Sequence, residues 1–200
     1  MKKVIILIIL IIALSGIFYW LYTTDEKKES NPIEGNALNE AKVMELLEEK
    51  NSKERERILQ TAAKSPDQVI ALNSLIFKMT YGKELSKEEM DELIKLQRSQ
   101  FAEELLSENE EANQQLKIWL ESKKSKEKKI KIVDYHALAP YTMDKVKYNG
   151  KKRPTVKVSV VYYTNVSGNN HYIDYLLYED DNHHWKIVGW AKGEEFLVTE

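Results

Sequence analysis

The sequence predicts an α+β protein with an N-terminal transmembrane helix, a helical segment, and a domain of about three helices packed on an antiparallel sheet of about four strands. Three observations support this fold class. The run from Val4 to Thr24 carries no charge. Apolar residues then recur with helical spacing from about residue 38 to residue 122, and with a period of two from Ile130 onward. Helices followed by strands are typical of a segregated α+β domain.

The apolar run is long enough for a membrane anchor. About twenty apolar residues in a helix cover a hydrocarbon core of roughly 30 Å. Ala13-Leu14-Ser15 resembles the cleavage site of a removed signal peptide, which is the alternative. However, aromatic residues follow at Phe18-Tyr19-Trp20, and these are typical of the interfacial end of a spanning helix. We therefore expect residues 1–24 to be an uncleaved anchor that contacts the lipid bilayer through Val4 to Tyr22.

The charges beside the anchor indicate its orientation. Lys2 and Lys3 lie at its N-terminal edge, whereas Asp25 and Glu26 open the other side. Positive residues stay on the cytoplasmic side, so we expect a single-pass protein of the cell membrane, with a cytoplasmic N-terminus and an extracytoplasmic C-terminal domain. The chain has no cysteine, so the exported domain must be stable through its own core and cannot be a lipoprotein.

Two segments precede the main domain. Residues 25–37 are polar, contain Pro32 and Gly35, and are predicted to be a linker. Residues 38–64 form a helical segment whose apolar stripe is thin across the charged residues 48–57. The sequence leaves open whether this segment is one helix or two helices broken near Asn51.

The main domain, residues 65–192, opens with clear helix signals. Ser65-Pro66 is a side-chain cap followed by proline in the first turn, and Gly82 predicts the end of that helix. Ser86 and Glu89 have capping-box spacing and start a second helix, which the apolar spacing extends to Leu106.

A third, shorter helix is predicted from about Glu110 to Ser122. Three of its apolar residues, Leu116, Trp119 and Leu120, form a stripe. Their spacing of three and four residues places them on one face of a helix. We expect this face to point inward.

Strands follow from Ile130. Four segments rich in Val, Ile and Tyr alternate with turn compositions, and the last three are expected to form an antiparallel meander. Asn149-Gly150 favours a tight turn and a short extra hairpin within residues 139–154.

Trp185 and Trp190 have odd spacing, which predicts that they lie on opposite faces of the last strand. Residues 193–200 are predicted to be a C-terminal tail. The four strand segments are Ile130–Leu138, Val156–Thr164, Tyr172–Glu179 and Trp185–Ala191.

Both faces of the second and third of these segments carry bulky residues. A sheet covered by helices on one side normally has polar residues on the other. The second face therefore curls around a pocket, meets a partner, or is shielded by its own tyrosines. Tyrosines are good interface anchors, so Tyr162, Tyr163, Tyr175 and Tyr178 are the candidate binding residues. The alternative is that they are ordinary residues of the sheet core.

The order of these elements resembles a known family. The capped helix at Ser65-Pro66-Asp67-Gln68-Val69, the helix ending in Glu103-Glu104-Leu105-Leu106, and the closing Trp185-Lys186-Ile187-Val188-Gly189-Trp190 resemble NTF2-like (cystatin-like) domains. More closely, they resemble an uncharacterised family of single-span Gram-positive bacterial proteins with a domain of unknown function. The resemblance covers about residues 38–192 and implies a curved sheet wrapped around a helix. Its motifs are packing and capping signals, so it implies no activity.

Asp134 and His136 are the candidate catalytic pair. They point to the same side of their predicted strand. NTF2-like enzymes such as dehydratases and isomerases use Asp/His pairs inside their cone for proton transfer, which the resemblance makes an alternative here. The competing interpretation is a pair of surface or strand-edge residues.

Other chemistry has little support. His183-His184 follow Asp180-Asp181, but adjacent strand residues face opposite ways, whereas metal ligands must converge. No nucleotide, nucleophile-elbow or zinc-hydrolase motif occurs, so we expect no cofactor and no metal.

Charge is unevenly spread along the chain. Residues 123–157 contain twelve basic and three acidic residues, a net charge of +9. This segment has the charge to meet lipid head groups or an anionic wall polymer. The alternative is that its lysines only keep the protein soluble. Nucleic acid is not expected, because the lysines lack an array of aromatic residues for stacking.

Three functions remain open. The leading hypothesis is a membrane-anchored, non-catalytic binding module of the bacterial envelope that contacts another envelope protein or a wall polymer. The second is an extracytoplasmic acid-base enzyme that uses Asp134 and His136. The third is a docking subunit of a membrane complex.

Overall fold

The computed structural model describes residues 39–48, 52–148 and 150–198, which belong to one compact unit, Asn31–Glu200. This part of the chain is α+β, as predicted, and contains six helices followed by five strands. The helices are α1 (Glu40–Glu48), α2 (Ser52–Ala62), α3 (Pro66–Gly82), α4 (Lys87–Arg98), α5 (Glu103–Glu108) and α6 (Glu111–Glu127). The strands are β1 (Ile132–Ala137), β2 (Tyr141–Tyr148), β3 (Lys151–Thr164), β4 (His171–Glu179) and β5 (Trp185–Lys192).

The predicted fold class needs correction. The main domain has one helix and one strand more than the sequence suggested, because the second predicted helix is two helices and the extra hairpin adds β2. The membrane-spanning helix of the prediction is not found either: none of the described helices is both long and apolar enough to cross a membrane. The predicted anchor, residues 1–24, and the predicted linker, residues 25–37, lie outside the described residues.

The helical segment packs on the main domain. It contains two helices, α1 and α2, on either side of residues 49–51. Val43 of α1 and Ala62 of α2 are buried in one cluster with Leu72 and Met79 of α3. The boundary predicted at residue 64 stays a prediction.

Helix α3 is the central helix. The Ser65 hydroxyl accepts a hydrogen bond from the backbone N–H of Gln68 at 3.3 Å, so the predicted cap is confirmed. The helix ends at Gly82, but the glycine is needed for a close approach and not for a left-handed turn. A Cβ on Gly82 would lie 2.5 Å from the carbonyl oxygen of Ile132, at the start of β1.

Helix α4 starts with the predicted capping box. Glu89 N–H donates to the Ser86 hydroxyl at 3.1 Å, and Ser86 N–H donates to the Glu89 carboxylate at 2.7 Å. The helix stops at Arg98, short of the predicted Leu106, because the next residues pair with the sheet. Ile187 N–H donates to Gln100 O at 2.9 Å, and Ala102 N–H donates to Ile187 O at 2.8 Å.

The long strand β3 organises the sheet. β1 and β2 both pair with it along the same edge, β2 with residues 151–157 and β1 with residues 160–164, and β4 and β5 follow on the other side. The pairings between these five strands are all antiparallel. Gly150, in the β2–β3 turn, has a φ of +80°, a conformation that favours glycine. The sheet packs on α3 around one buried cluster.

A bulge in β5 corrects the prediction for its tryptophans. Leu176 of β4 pairs with Gly189 but Leu177 pairs with Ile187, so Val188 is an extra residue. Trp185 and Trp190 pair with Glu179 and Tyr175, which lie on the same face of β4. Both tryptophans therefore lie on the helix-facing side and not on opposite faces.

Candidate functional site

Two of the four candidate tyrosines form a closed network inside the domain. Tyr162 is fully buried, and its hydroxyl lies 3.0 Å from the Ser74 hydroxyl and 2.8 Å from the Tyr175 hydroxyl. Burial raises the pKa of Tyr175 to about 12, and burial raises that of Tyr162 well above its ordinary value. Both hydroxyls therefore stay protonated and neutral, which suits a structural network in the core.

The other two tyrosines differ in exposure. Tyr178 is buried, and its hydroxyl donates to the Glu104 carboxylate at 3.0 Å, while the Arg153 guanidinium lies 5.0 Å from its ring. Only Tyr163 is half-buried, on the face of β3 opposite Tyr162. The binding role of these tyrosines stays a prediction, and the burial of three of them agrees with the alternative of core residues.

The candidate catalytic pair lies outside this network. In β1, Tyr135 packs toward α3, so the flanking residues Asp134 and His136 point to the other face of the sheet. The Asp134 side chain is 68% exposed and lies 3.7 Å from the Lys78 ammonium. Burial lowers the pKa of His136, and the Asp134 carboxylate opposes this shift. The fold does not bring the pair into the interior next to Tyr162.

The histidines beside the β4–β5 turn have structural contacts. The Asp180 carboxylate accepts from the backbone N–H groups of Asn182 and His184 at 2.8 and 2.9 Å. His183 has a positive φ, and its Nδ1 lies 2.8 Å from a carboxylate oxygen of Glu179. In residues 39–48, 52–148 and 150–198, no three His, Asp or Glu side chains are grouped as metal ligands.

Ion pairs offset part of the charge of the basic segment, residues 123–157. Lys151 and Arg153 both contact the Asp181 carboxylate, at 2.8 and 3.0 Å. At the other end, where α6 leads into β1, the ion pairs among the described residues include only that of Lys126 with Glu84. Excess positive charge therefore remains at the C-terminal end of α6, and the exposed Lys145, Lys147 and Lys152 carry further positive charge on β2 and β3.

Helix α6 has three large apolar residues on the outside. Leu116 is 57% exposed, Trp119 is 39% exposed and Leu120 is 51% exposed. The only buried residue of the helix is the small, polar Ser122. The prediction that these three apolar residues point inward is therefore wrong. We call the surface of Leu116, Trp119, Leu120 and Lys123 the outward face of α6.

Polar contacts hold the opposite side of α6 on the domain. The Ser122 hydroxyl donates to the backbone carbonyl of Thr80 at 3.1 Å, and the Tyr81 hydroxyl donates to the Glu121 carboxylate at 2.9 Å. Near the helix start, Arg98 donates to the Gln114 side chain at 2.6 Å. These bonds fix the rotation of the helix, so its apolar side must face solvent.

One signal for this arrangement was present in the sequence. In a helix with 3.6 residues per turn, Lys123 follows Trp119 and Leu120 on the same face. An apolar stripe that continues into lysine does not suit a buried face, because a buried lysine needs a partner. The structure places the Lys123 ammonium 5.6 Å from the centre of the Trp119 ring, on the surface.

Comparison with known proteins identifies the family. Residues 1–190 match the family model described as Domain of unknown function (DUF6715), and the chain therefore belongs to this family. Neither the curated proteins nor the solved structures gave a significant match.

Proposed function

We propose that this member of the DUF6715 family is a non-catalytic binding module that docks through the outward face of α6. The proposal rests on the orientation of α6. Its polar side is hydrogen-bonded to the domain, and Leu116, Trp119 and Leu120 face solvent. Clustered apolar side chains on a surface that polar residues surround are typical of interaction sites.

The energetics favour docking. The three side chains are about half exposed, which corresponds to an apolar area on the order of 300 Å². Removing this area from water would contribute about 7 kcal/mol before the costs of association. The folded domain gains none of this free energy, so the residues stabilise a bound state and not the isolated fold.

An acid-base enzyme has less support. The pair Asp134 and His136 lies on the face of β1 away from α3, and the interior beside α3 is filled by Tyr162 and Tyr175. A docking subunit of a membrane complex is compatible with the proposal. A crosslinked partner that itself belongs to a membrane complex would support this role.

We further propose an NTF2-like fold and an extracytoplasmic location at the cell membrane of a Gram-positive bacterium. An antiparallel sheet with one long strand, packed on α3, supports the fold. The sequence of residues 4–22 supports the location, although it lies outside the described residues. Protease treatment of intact cells should digest the domain. Digestion only after lysis would contradict the location.

Site-specific crosslinking tests the docking proposal. The full chain has no cysteine, so Asn113→Cys, next to the apolar residues on α6, can carry a benzophenone on its thiol. We expect irradiation with native membranes to give a protein or lipid adduct. The triple variant Leu116→Gln, Trp119→Gln, Leu120→Gln should lose the adduct with only a small change in thermal stability.

The control places the same probe at Ser167→Cys, in the exposed β3–β4 turn. No adduct is expected there. Equal adducts from both positions, or adducts that survive the triple variant, would contradict the docking role of α6.

A further inference from the structure

We propose that the outward face of α6, with the lysines at its C-terminal end, docks on an anionic lipid surface. This inference rests on the proposed docking function and names its partner. The face combines two aliphatic side chains with a tryptophan, and it continues directly into Lys123. Leucine and tryptophan beside lysine are the composition of helices that lie in the membrane interface.

The charge of the helix end fits such a surface. Residues 123–131 contain six lysines and one acidic residue, Glu127, a net charge of 6 − 1 = +5. Lys126 is paired with Glu84 at 3.1 Å, and Lys123 lies over the Trp119 ring. Lysines near an anionic surface are attracted by its negative potential, an effect that falls off within a Debye length.

The opposite end of α6 is acidic. Glu108, Glu110 and Glu111 lie at or just before its first turn, and Arg98 approaches Glu111 at 3.8 Å. An anionic surface repels these carboxylates and attracts the lysines. The helix should therefore approach the membrane with its C-terminal end and with Trp119 in the interface.

The size of the patch argues against a stable dimer. A standard protein interface buries roughly 800 Å² on each partner, of which a little over half, about 450 Å², is apolar, whereas this patch offers an apolar area on the order of 300 Å². A soluble polyanion such as a wall polymer would neutralise the lysines but leave Leu116, Trp119 and Leu120 in water. A bilayer interface satisfies both groups, because apolar side chains enter it to a depth of about 5–10 Å.

The test measures lipid contact at one position of the full chain. Residues 4–22 are apolar and would contact lipid of any charge, so the readout must be local. The fluorophore NBD is attached to the thiol of Leu120→Cys. Quenching of its fluorescence by acrylamide gives the ratio of shielded to solvent-exposed label. We expect shielding with phosphatidylcholine vesicles that contain about 30 mol % phosphatidylglycerol, and little shielding with phosphatidylcholine alone.

Two charge variants make the test specific. Lys123→Gln with Lys124→Gln should lower the shielded-to-exposed ratio about five-fold per lysine, about 25-fold in total. Lys64→Gln with Lys192→Gln changes the net charge equally, but these lysines lie between α2 and α3 and at the end of β5, so the ratio should stay unchanged. Raising the salt to about 0.5 M should also release the label.

Each outcome has a defined meaning. A label that stays exposed on anionic vesicles, or that is shielded equally on neutral ones, overturns the lipid proposal. Shielding by soluble polyphosphate or by unlabelled protein in place of vesicles would also overturn it, in favour of a polymer or a second copy. If the crosslinking from Asn113→Cys still gives an α6-dependent protein adduct, the docking function survives and only its lipid partner is wrong.

Discussion

Replacing Tyr162 with phenylalanine should destabilise the domain by about 2 kcal/mol. The phenylalanine ring keeps its packing on Phe77, whose ring centre is 4.6 Å away, so no cavity forms. The lost hydroxyl removes two hydrogen bonds, to Ser74 and to Tyr175. The buried hydroxyls of Ser74 and Tyr175 each lose this partner.

The magnitude follows from these contacts. A net hydrogen bond contributes about 0.5–1.5 kcal/mol, and a buried polar group without a partner costs about 1–3 kcal/mol. For a chain of this length, a loss of about 2 kcal/mol lowers the melting temperature by about 4–8 °C. Thermal and urea unfolding of the full chain measure this difference.

Tyr163→Phe is the matched control. It removes the same hydroxyl from the neighbouring, half-exposed position on the other face of β3, so the free energy of unfolding should change by less than about 0.5 kcal/mol. If both variants unfold alike, the network around Tyr162 does not exist as described.

Three further predictions concern the elements that position α6 and the sheet. Gly82→Ala should destabilise the protein by about 1–3 kcal/mol in urea unfolding, although Ala normally stabilises a helix, because its Cβ would meet the Ile132 carbonyl. Ser86→Ala should cost about 1 kcal/mol through loss of the capping box, also measured in urea. Lys151 and Arg153 lower the pKa of Asp181 from 3.8 to about 2, so its contribution to stability is present above about pH 4 and lost as the pH falls toward 2. Asp181→Asn should reduce the loss of unfolding free energy between about pH 4 and pH 2, measured in urea. An unchanged loss would contradict the ion pairs.

Local signals in the sequence predicted much of the fold. Ser65-Pro66 and the Ser86/Glu89 pair start helices where expected, because caps depend on residues three positions apart. The Asn149-Gly150 signal located the turn before β3 for the same reason. These interactions need no knowledge of the rest of the chain.

Errors arose where distant parts of the chain meet. The second helix ends at Arg98 because residues 100–102 pair with Ile187, about ninety positions away. The bulge at Val188 reversed the predicted face of one tryptophan, and periodicity alone does not reveal a bulge.

The candidate site shows the same limit. Spacing correctly grouped Leu116, Trp119 and Leu120 on one face of a helix, but it does not say which way the face points. Hydrogen bonds from Tyr81 and Ser122 decide this, and they join residues about forty positions apart. The tyrosines of the sheet show a related limit: tyrosine suits a protein interface and a sheet core equally well, so the sequence left both interpretations open.

The central claim is that α6 turns its apolar face away from the domain. The unfolding free energy of the full chain with Leu116→Gln, Trp119→Gln and Leu120→Gln tests this claim most directly. Exposed side chains contribute little to folding, so the structure predicts a total loss below about 1.5 kcal/mol. Inward-facing residues at the same positions would cost more than about 5 kcal/mol together. A loss of that size would contradict the outward face of α6 and, with it, both docking proposals.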